Sequence, residues 1–225
     1  MSVRGWFARA ATGAGLALGA VVFLNLTGCA SAPAGPPPAR LDFPSPATGP
    51  GRPDLDKAAK EQLSDGWQSL VRGDTSNARA DAAKVPSAAG RLLEMQAEVV
   101  GGGDAVADLE QLTGSMPDYA AAWLTLSVAA ENSDNEKLAL TAAQRGAELW
   151  SDQRWVDREQ ALRQRWVGDR IASARTLYEA DQPEEARSTL LPALEIEPDN
   201  RDAVILEARI FIDLDQPDRA ESILA

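Results

Sequence analysis

Apolar and polar positions divide this chain into three stretches of different character. Residues 10–26 are mostly apolar or small and carry no charge. Residues 30–53 hold eight of the fourteen prolines, from Ala30-Ser31-Ala32-Pro33-Ala34-Gly35-Pro36-Pro37-Pro38 through Phe43-Pro44-Ser45-Pro46 to Pro53. Each proline removes an amide donor and pushes the preceding residue toward extended geometry, so a disordered linker is expected over 29–53. From about Asp56 onward, apolar residues recur three and four positions apart, the spacing of amphipathic helices. Trp155, Leu162 and Trp166, seven and four apart, fall on one face of a helix expected over 154–166.

The helical part repeats itself. Asp181-Gln182-Pro183-Glu184-Glu185-Ala186 returns 34 residues later as Asp215-Gln216-Pro217-Asp218-Arg219-Ala220. The same beat is carried upstream by Trp123, Leu126, Ala139, Gly146 and Leu149, by Leu92, Ala105, Leu109 and Pro117, and most faintly by Gly66, Gly73, Asp74 and Ala78. A 34-residue period of helix, tight turn and helix resembles the tetratricopeptide repeat (TPR), in which each hairpin buries its apolar face on its neighbours. The segment Ala193-Leu194-Glu195-Ile196-Glu197-Pro198-Asp199-Asn200 is similar to the ending of that unit. The resemblance implies an all-α, right-handed superhelical solenoid with units near 56–85, 86–119, 120–153, 167–200 and 201–225.

Three departures accompany it. The register slips by 13 residues between Trp150 and Asp169, so segment 154–166 either extends the next helix or forms one of its own, with Gly168 as the expected kink. Ala89 stands where the family carries an aromatic, and Gly101-Gly102-Gly103 makes a loose turn. The last unit reaches Ala225 without a polar capping helix, which solenoids need. Either the sequence is a fragment, or a partner or second copy covers the apolar face near Ile223 and Leu224.

The first stretch has a short basic start at Arg4 and Arg9, an apolar run and small residues before the single cysteine, the layout of a secretory signal peptide over 1–28. Its ending, Leu26-Thr27-Gly28-Cys29, resembles the bacterial lipobox. That resemblance implies cleavage before Cys29 and acylation of the cysteine, and two or three chains hold a protein on a bilayer where one is marginal. An uncleaved membrane anchor is the alternative, since 17 residues is the lower edge of a bilayer span. Ala30 is not the aspartate that often retains such lipoproteins at the inner membrane, so an outer-membrane site facing the periplasm is expected. Some 24 linker residues in polyproline II geometry would hold the repeats up to roughly 75 Å from the membrane.

The formal charge of the chain is −12. The first 28 residues carry two arginines and no acid, so their removal takes it to −14. An acidic body argues against nucleic acid, which demands a basic stripe, and against adhesion to anionic head groups. With no histidine and one cysteine, the usual triads, metal clusters and disulfides are not expected, and no phosphate-binding glycine loop is present. No metal and no cofactor are expected. Carboxylates could serve a glycosidase, but Glu179, Glu184, Glu185 and Glu195 are spaced as solvent-facing helix residues. A non-enzymatic scaffold is therefore expected, with a cell-wall-modifying enzyme or a self-associating structural lipoprotein as alternatives.

Protein or peptide partners are expected on two surfaces. In the TPR family the first helix of each unit lines the concave groove. Arg175 and Arg209 hold equivalent places there, followed one turn later by Tyr178 and Ile212. The arginines either form a ladder for carboxylates of an extended peptide or close i,i+4 pairs with Glu179 and Asp213. Trp155 and Trp166, interleaved with Arg154, Arg158, Arg163 and Arg165, have the composition of an interface hot spot; packing in the core is the competing role.

Overall fold

The computed structural model describes residues 42–225. The apolar leader, Cys29 and the first part of the proline-rich stretch lie outside the described residues, as do the expectations placed on them. Among the described residues there are ten helices and no strand. They are α1 (Lys57–Val71), α2 (Thr75–Ala82), α3 (Ala88–Val100), α4 (Val106–Ser115), α5 (Ala120–Asn132), α6 (Glu136–Leu149), α7 (Gln153–Glu179), α8 (Pro183–Ile196), α9 (Arg201–Asp213) and α10 (Pro217–Leu224). They form an all-α repeat array of five hairpins.

Helix starts follow from short polar side chains. Asp56, Asp74, Ser87, Asn135 and Asn200 each accept a hydrogen bond from a backbone N–H in the first turn of the helix they open, satisfying donors that have no partner inside the helix. Asp152 does the same for α7, while α8 and α10 open on Pro183 and Pro217, where a missing N–H costs nothing.

Every hairpin turns the same way. Gly73, Gly102, Asp134, Asp181 and Asp215 have φ between 56° and 81°, the left-handed cap conformation. The following amide then returns to a carbonyl five residues back: Asp74 to Ser69, Gly103 to Glu98, Asn135 to Ala130, Gln182 to Leu177 and Gln216 to Phe211, at 2.8–3.0 Å. Five residues beyond the left-handed position, Ala78, Ala139, Ala186 and Ala220 are buried. A methyl at that point lets the second helix lie close on the first.

The second hairpin departs from this rule. Its turn carries extra residues before α4 begins, and Ala107, in the equivalent place, is exposed while Ala105 and Leu109 are buried. Accordingly α3 and α4 are the least packed of the five helix pairs. Segment 154–166 does not make a separate helix. It is the first half of α7, which runs unbroken through Gly168, and Trp155, Leu162 and Trp166 all face inward.

The proline-rich stretch differs from the expected linker. Residues 42–53 form a strap on the array, with Phe43 2% exposed and Pro44 and Pro46 buried. The Phe43 ring meets Trp67 of α1 edge-on at 6.0 Å, and burial of such a ring contributes about 1.5–3 kcal/mol. At the far end of the strap, Gly51 has φ 69°, and a Cβ there would lie 1.8 Å from the Asp118 carbonyl oxygen. Proline density excluded regular structure but not order.

Gly90 in the first turn of α3 offers a test of these close approaches. Alanine is favoured over glycine in a helix by about 1 kcal/mol, yet a Cβ at Gly90 would sit 1.9 Å from the Val85 carbonyl oxygen. Gly90→Ala should therefore destabilise the protein by about 2 kcal/mol or more, read as a lower urea midpoint. A stability equal to or above wild type would contradict the packing of α3 on the α2–α3 turn.

Candidate functional site

The first helices of the first three hairpins, α1, α3 and α5, supply one continuous face, and the strap lies on it. Four contacts hold its backbone or rings. Phe43 packs on Trp67 of α1. Gln96 of α3 donates from Nε2 to the Pro44 carbonyl at 2.9 Å. The Tyr119 hydroxyl donates to the Pro46 carbonyl, and the Ala120 amide donates to the Pro50 carbonyl at 3.2 Å. Burial holds the Tyr119 phenol well above the usual tyrosine range, against an opposing pull from Arg52, so it remains a donor. Within the strap, Thr48 closes a turn onto the Ser45 carbonyl through both its amide and its hydroxyl.

Gln96 is fully buried, and its amide orientation is determined by its neighbours. Nε2 also donates to Thr125 Oγ1 at 2.9 Å, and that hydroxyl spends its own hydrogen on the Ala121 carbonyl at 2.8 Å. Two acceptors on one side place the nitrogen there. Oε1 is left buried without a partner, a cost of about 1–3 kcal/mol for a neutral acceptor. The strap has proline at 44 and 46, and proline carries no N–H to offer it.

Where the strap begins, α5 and the front half of α7 meet around a charged cluster. Glu131 accepts from Arg158 Nη2 at 2.6 Å and from Arg165 Nη2 at 2.7 Å, one guanidinium on each oxygen. Arg158 Nε also reaches Ser127 at 3.1 Å. Burial pushes the Glu131 carboxyl up, but the bonds and charges of Arg165 and Arg158 outweigh it and hold the group below its ordinary value. Asp42, Arg154, Asp157 and Leu162 help line a cleft of about 340 Å³ beside this cluster.

Of the residues singled out from sequence, the two tryptophans are not surface aromatics. Trp155 is 1% and Trp166 5% exposed. Trp155 packs on Trp150 at 6.0 Å and carries the Arg154 guanidinium 3.9 Å from its ring centroid; Trp166 joins the core between α6 and α9. Tyr178 is half-buried at the α7–α9 contact. The Asp213 carboxylate facing it raises its phenol above the ordinary value, and Arg209 pulls it back. Arg175 is exposed and lines a different cleft, with Glu197 and Asn200 of the α8–α9 turn and Asp202 of α9. The two arginines hold equivalent places but different surroundings. Neither closes an ion pair within 4 Å, so the i,i+4 pairs with Glu179 and Asp213 are not formed.

The last hairpin presents Ile212 and Leu224, each 58% exposed, beside Pro217 and Ala220. Ile223, expected on that face, is instead half-buried against the cluster of Ala208, Phe211 and Ala220. Gln96, Thr125, Tyr119 and Glu131 had no place in the sequence-based site. Their partners lie 27 to 73 residues away, and no local pattern marks them.

Asp74, through the cap bonds of Asn77, and Glu131, through its arginines, are each held below the ordinary carboxylate value. A general acid requires the opposite direction. Among the described residues no group of three or more acidic or thiol side chains could hold a metal ion, and no helix is long and apolar enough to cross a membrane.

A family model described as Tetratricopeptide repeat matches residues 177–225, from the end of α7 through α10. No curated protein and no solved structure matches the chain. The matched residues contain the turns at Asp181 and Asp215, and the same left-handed closure recurs in the three hairpins upstream. The protein carries tetratricopeptide-like repeats.

Glu131→Gln removes the one charge shared by Arg158 and Arg165. The site is partly solvated, so a loss of about 1–2 kcal/mol is expected above pH 5. A carboxylate held below its unfolded value contributes fully above that value and loses its contribution as pH falls through the folded one. The stability gap between wild type and Glu131→Gln, measured by urea unfolding, should therefore be constant at neutral pH and shrink below the ordinary glutamate range. A gap that widens in acid would contradict the assigned direction.

Proposed function

We infer that this protein is a membrane-tethered adaptor of a bacterial cell envelope, exported by its leader, lipidated at Cys29 and docking a protein partner on its repeats. Repeats of this type generally mediate protein–protein contacts through extended surfaces made by neighbouring units. The observation that carries the reading is the face of α1, α3 and α5, which already holds a non-helical, proline-rich segment by its carbonyls. Tethering rests on the lipobox-like Leu26-Thr27-Gly28-Cys29, and an outer-membrane site facing the periplasm rests on Ala30. The acidic body supports a protein partner rather than nucleic acid.

The ordered strap changes the reach of such a tether. Only residues 30–41 separate Cys29 from Asp42, and a chain of that length spans at most about 45 Å when fully extended. The partner's docking segment is then closer to the bilayer than a linker running to Pro53 would place it. A second reading, self-association, draws on the exposure of Ile212 and Leu224. Arg175, Tyr178 and Arg209 remain candidate contacts for a partner on the C-terminal hairpins.

Crosslinking in intact cells followed by membrane fractionation tests the adaptor reading. Wild type should sediment with membranes and capture a distinct protein, and Cys29→Ala should leave the membrane fraction and lose that capture. Recovery of self-crosslinked species alone would favour the structural alternative, and release of glycan fragments from purified cell wall would favour the enzyme.

A further inference from the structure

The strap is an imperfect fit to the face that holds it. Each of its polar contacts with the helices uses a backbone carbonyl, so the hydrogen bonds of the face read main chain. Among its side chains, Phe43 packs edge-on against Trp67, Pro44 and Pro46 are buried, and Ala47 packs on the core. The buried Gln96 amide can pair with an N–H as well as a C=O, yet the residue placed against it is Pro44 and Oε1 stays unpartnered. Of the four buried side-chain polar atoms without a partner among the described residues, Gln96 Oε1 is the one carried by a residue that bonds the strap.

We propose that residues 42–51 are a built-in, displaceable occupant of a peptide site on α1, α3 and α5. The partner is a non-helical protein segment with an aromatic side chain for Trp67, followed directly by a residue with a free backbone N–H in the place of Pro44. Further along, it offers a carbonyl to Tyr119. The incoming N–H satisfies Gln96 Oε1, and this one hydrogen bond is the margin by which the partner outcompetes a segment that is always at hand. The strap thereby covers Trp67 and the Gln96 amide until a better-matched segment arrives. The proposal rests on the adaptor reading for the existence of a partner, but its chemistry can be tested without knowing that partner.

Labelled peptides copying residues 42–52, with alanine or N-methylalanine in place of Pro44, can be titrated by fluorescence anisotropy against the full-length protein. They differ in the N–H. Two variants loosen the strap: Phe43→Ala removes its anchor, and Gly51→Ala drives it against the Asp118 carbonyl without touching a core side chain. The alanine peptide should bind whichever loosened variant keeps its helical circular dichroism at least about 10-fold more tightly than wild type. It should also bind about 5- to 10-fold more tightly than the N-methyl peptide, a difference erased by adding Gln96→Leu. Equal binding to wild type and loosened protein, equal binding of the two peptides, or no binding would each overturn the proposal. A partner captured in cells through α8 to α10, with no peptide binding in vitro, would sink this proposal and leave the adaptor reading standing.

Discussion

No hairpin of this chain can bury its apolar surface alone, and the fold depends on how closely one helix can lie on the next. A left-handed residue after each first helix reverses the chain within a few residues, and an alanine five positions on removes the bulk that would hold the second helix away. Where both conditions hold, the pair packs tightly. In the second hairpin the turn is longer, the alanine rotates to solvent and the pair is splayed. That hairpin is held instead by its neighbours, α2 and α5, and by the close backbone approach at Gly90.

Stacking hairpins in this way leaves the first helices aligned as a face with unused polar and aromatic groups. The strap uses most of them. Its density of proline, which precludes a helix or strand, suits a segment that lies on other helices without regular structure and offers carbonyls with few donors of its own. The same property leaves Gln96 Oε1 unpartnered. Beyond the strap, the front half of α7 continues the array through Trp155, Leu162 and Trp166 and through the two guanidiniums on Glu131. The junction between the third and fourth hairpins is therefore built from aromatic packing and a shared carboxylate.

A strap on the N-terminal face and a lipid at Cys29 would place docking and tethering within a few turns of chain from each other. The C-terminal hairpins carry the exposed Ile212 and Leu224. On the proposed reading, a partner engages the strap's site with a non-helical segment, recognised by main chain more than by charge.

Local signals in the sequence determined the helical hairpins and where most of them turn. Asp181 and Asp215, each followed by Gln and Pro, announce the last two hairpins, and the seven-and-four spacing of Trp155, Leu162 and Trp166 puts all three on one face of a helix. Such features depend on residues within one or two turns of each other, so periodicity alone carries them. Only the tertiary structure decided that α7 is one helix, that the two tryptophans are interior and that Arg175 and Arg209 have different neighbours. It alone brought Pro44 to Gln96 and Pro46 to Tyr119, across 52 and 73 residues. The reason is physical: a proline-rich segment has no internal pattern that says whether it is solvated or bound. Its order comes from the surface that receives it, and that surface exists only once three hairpins have packed side by side.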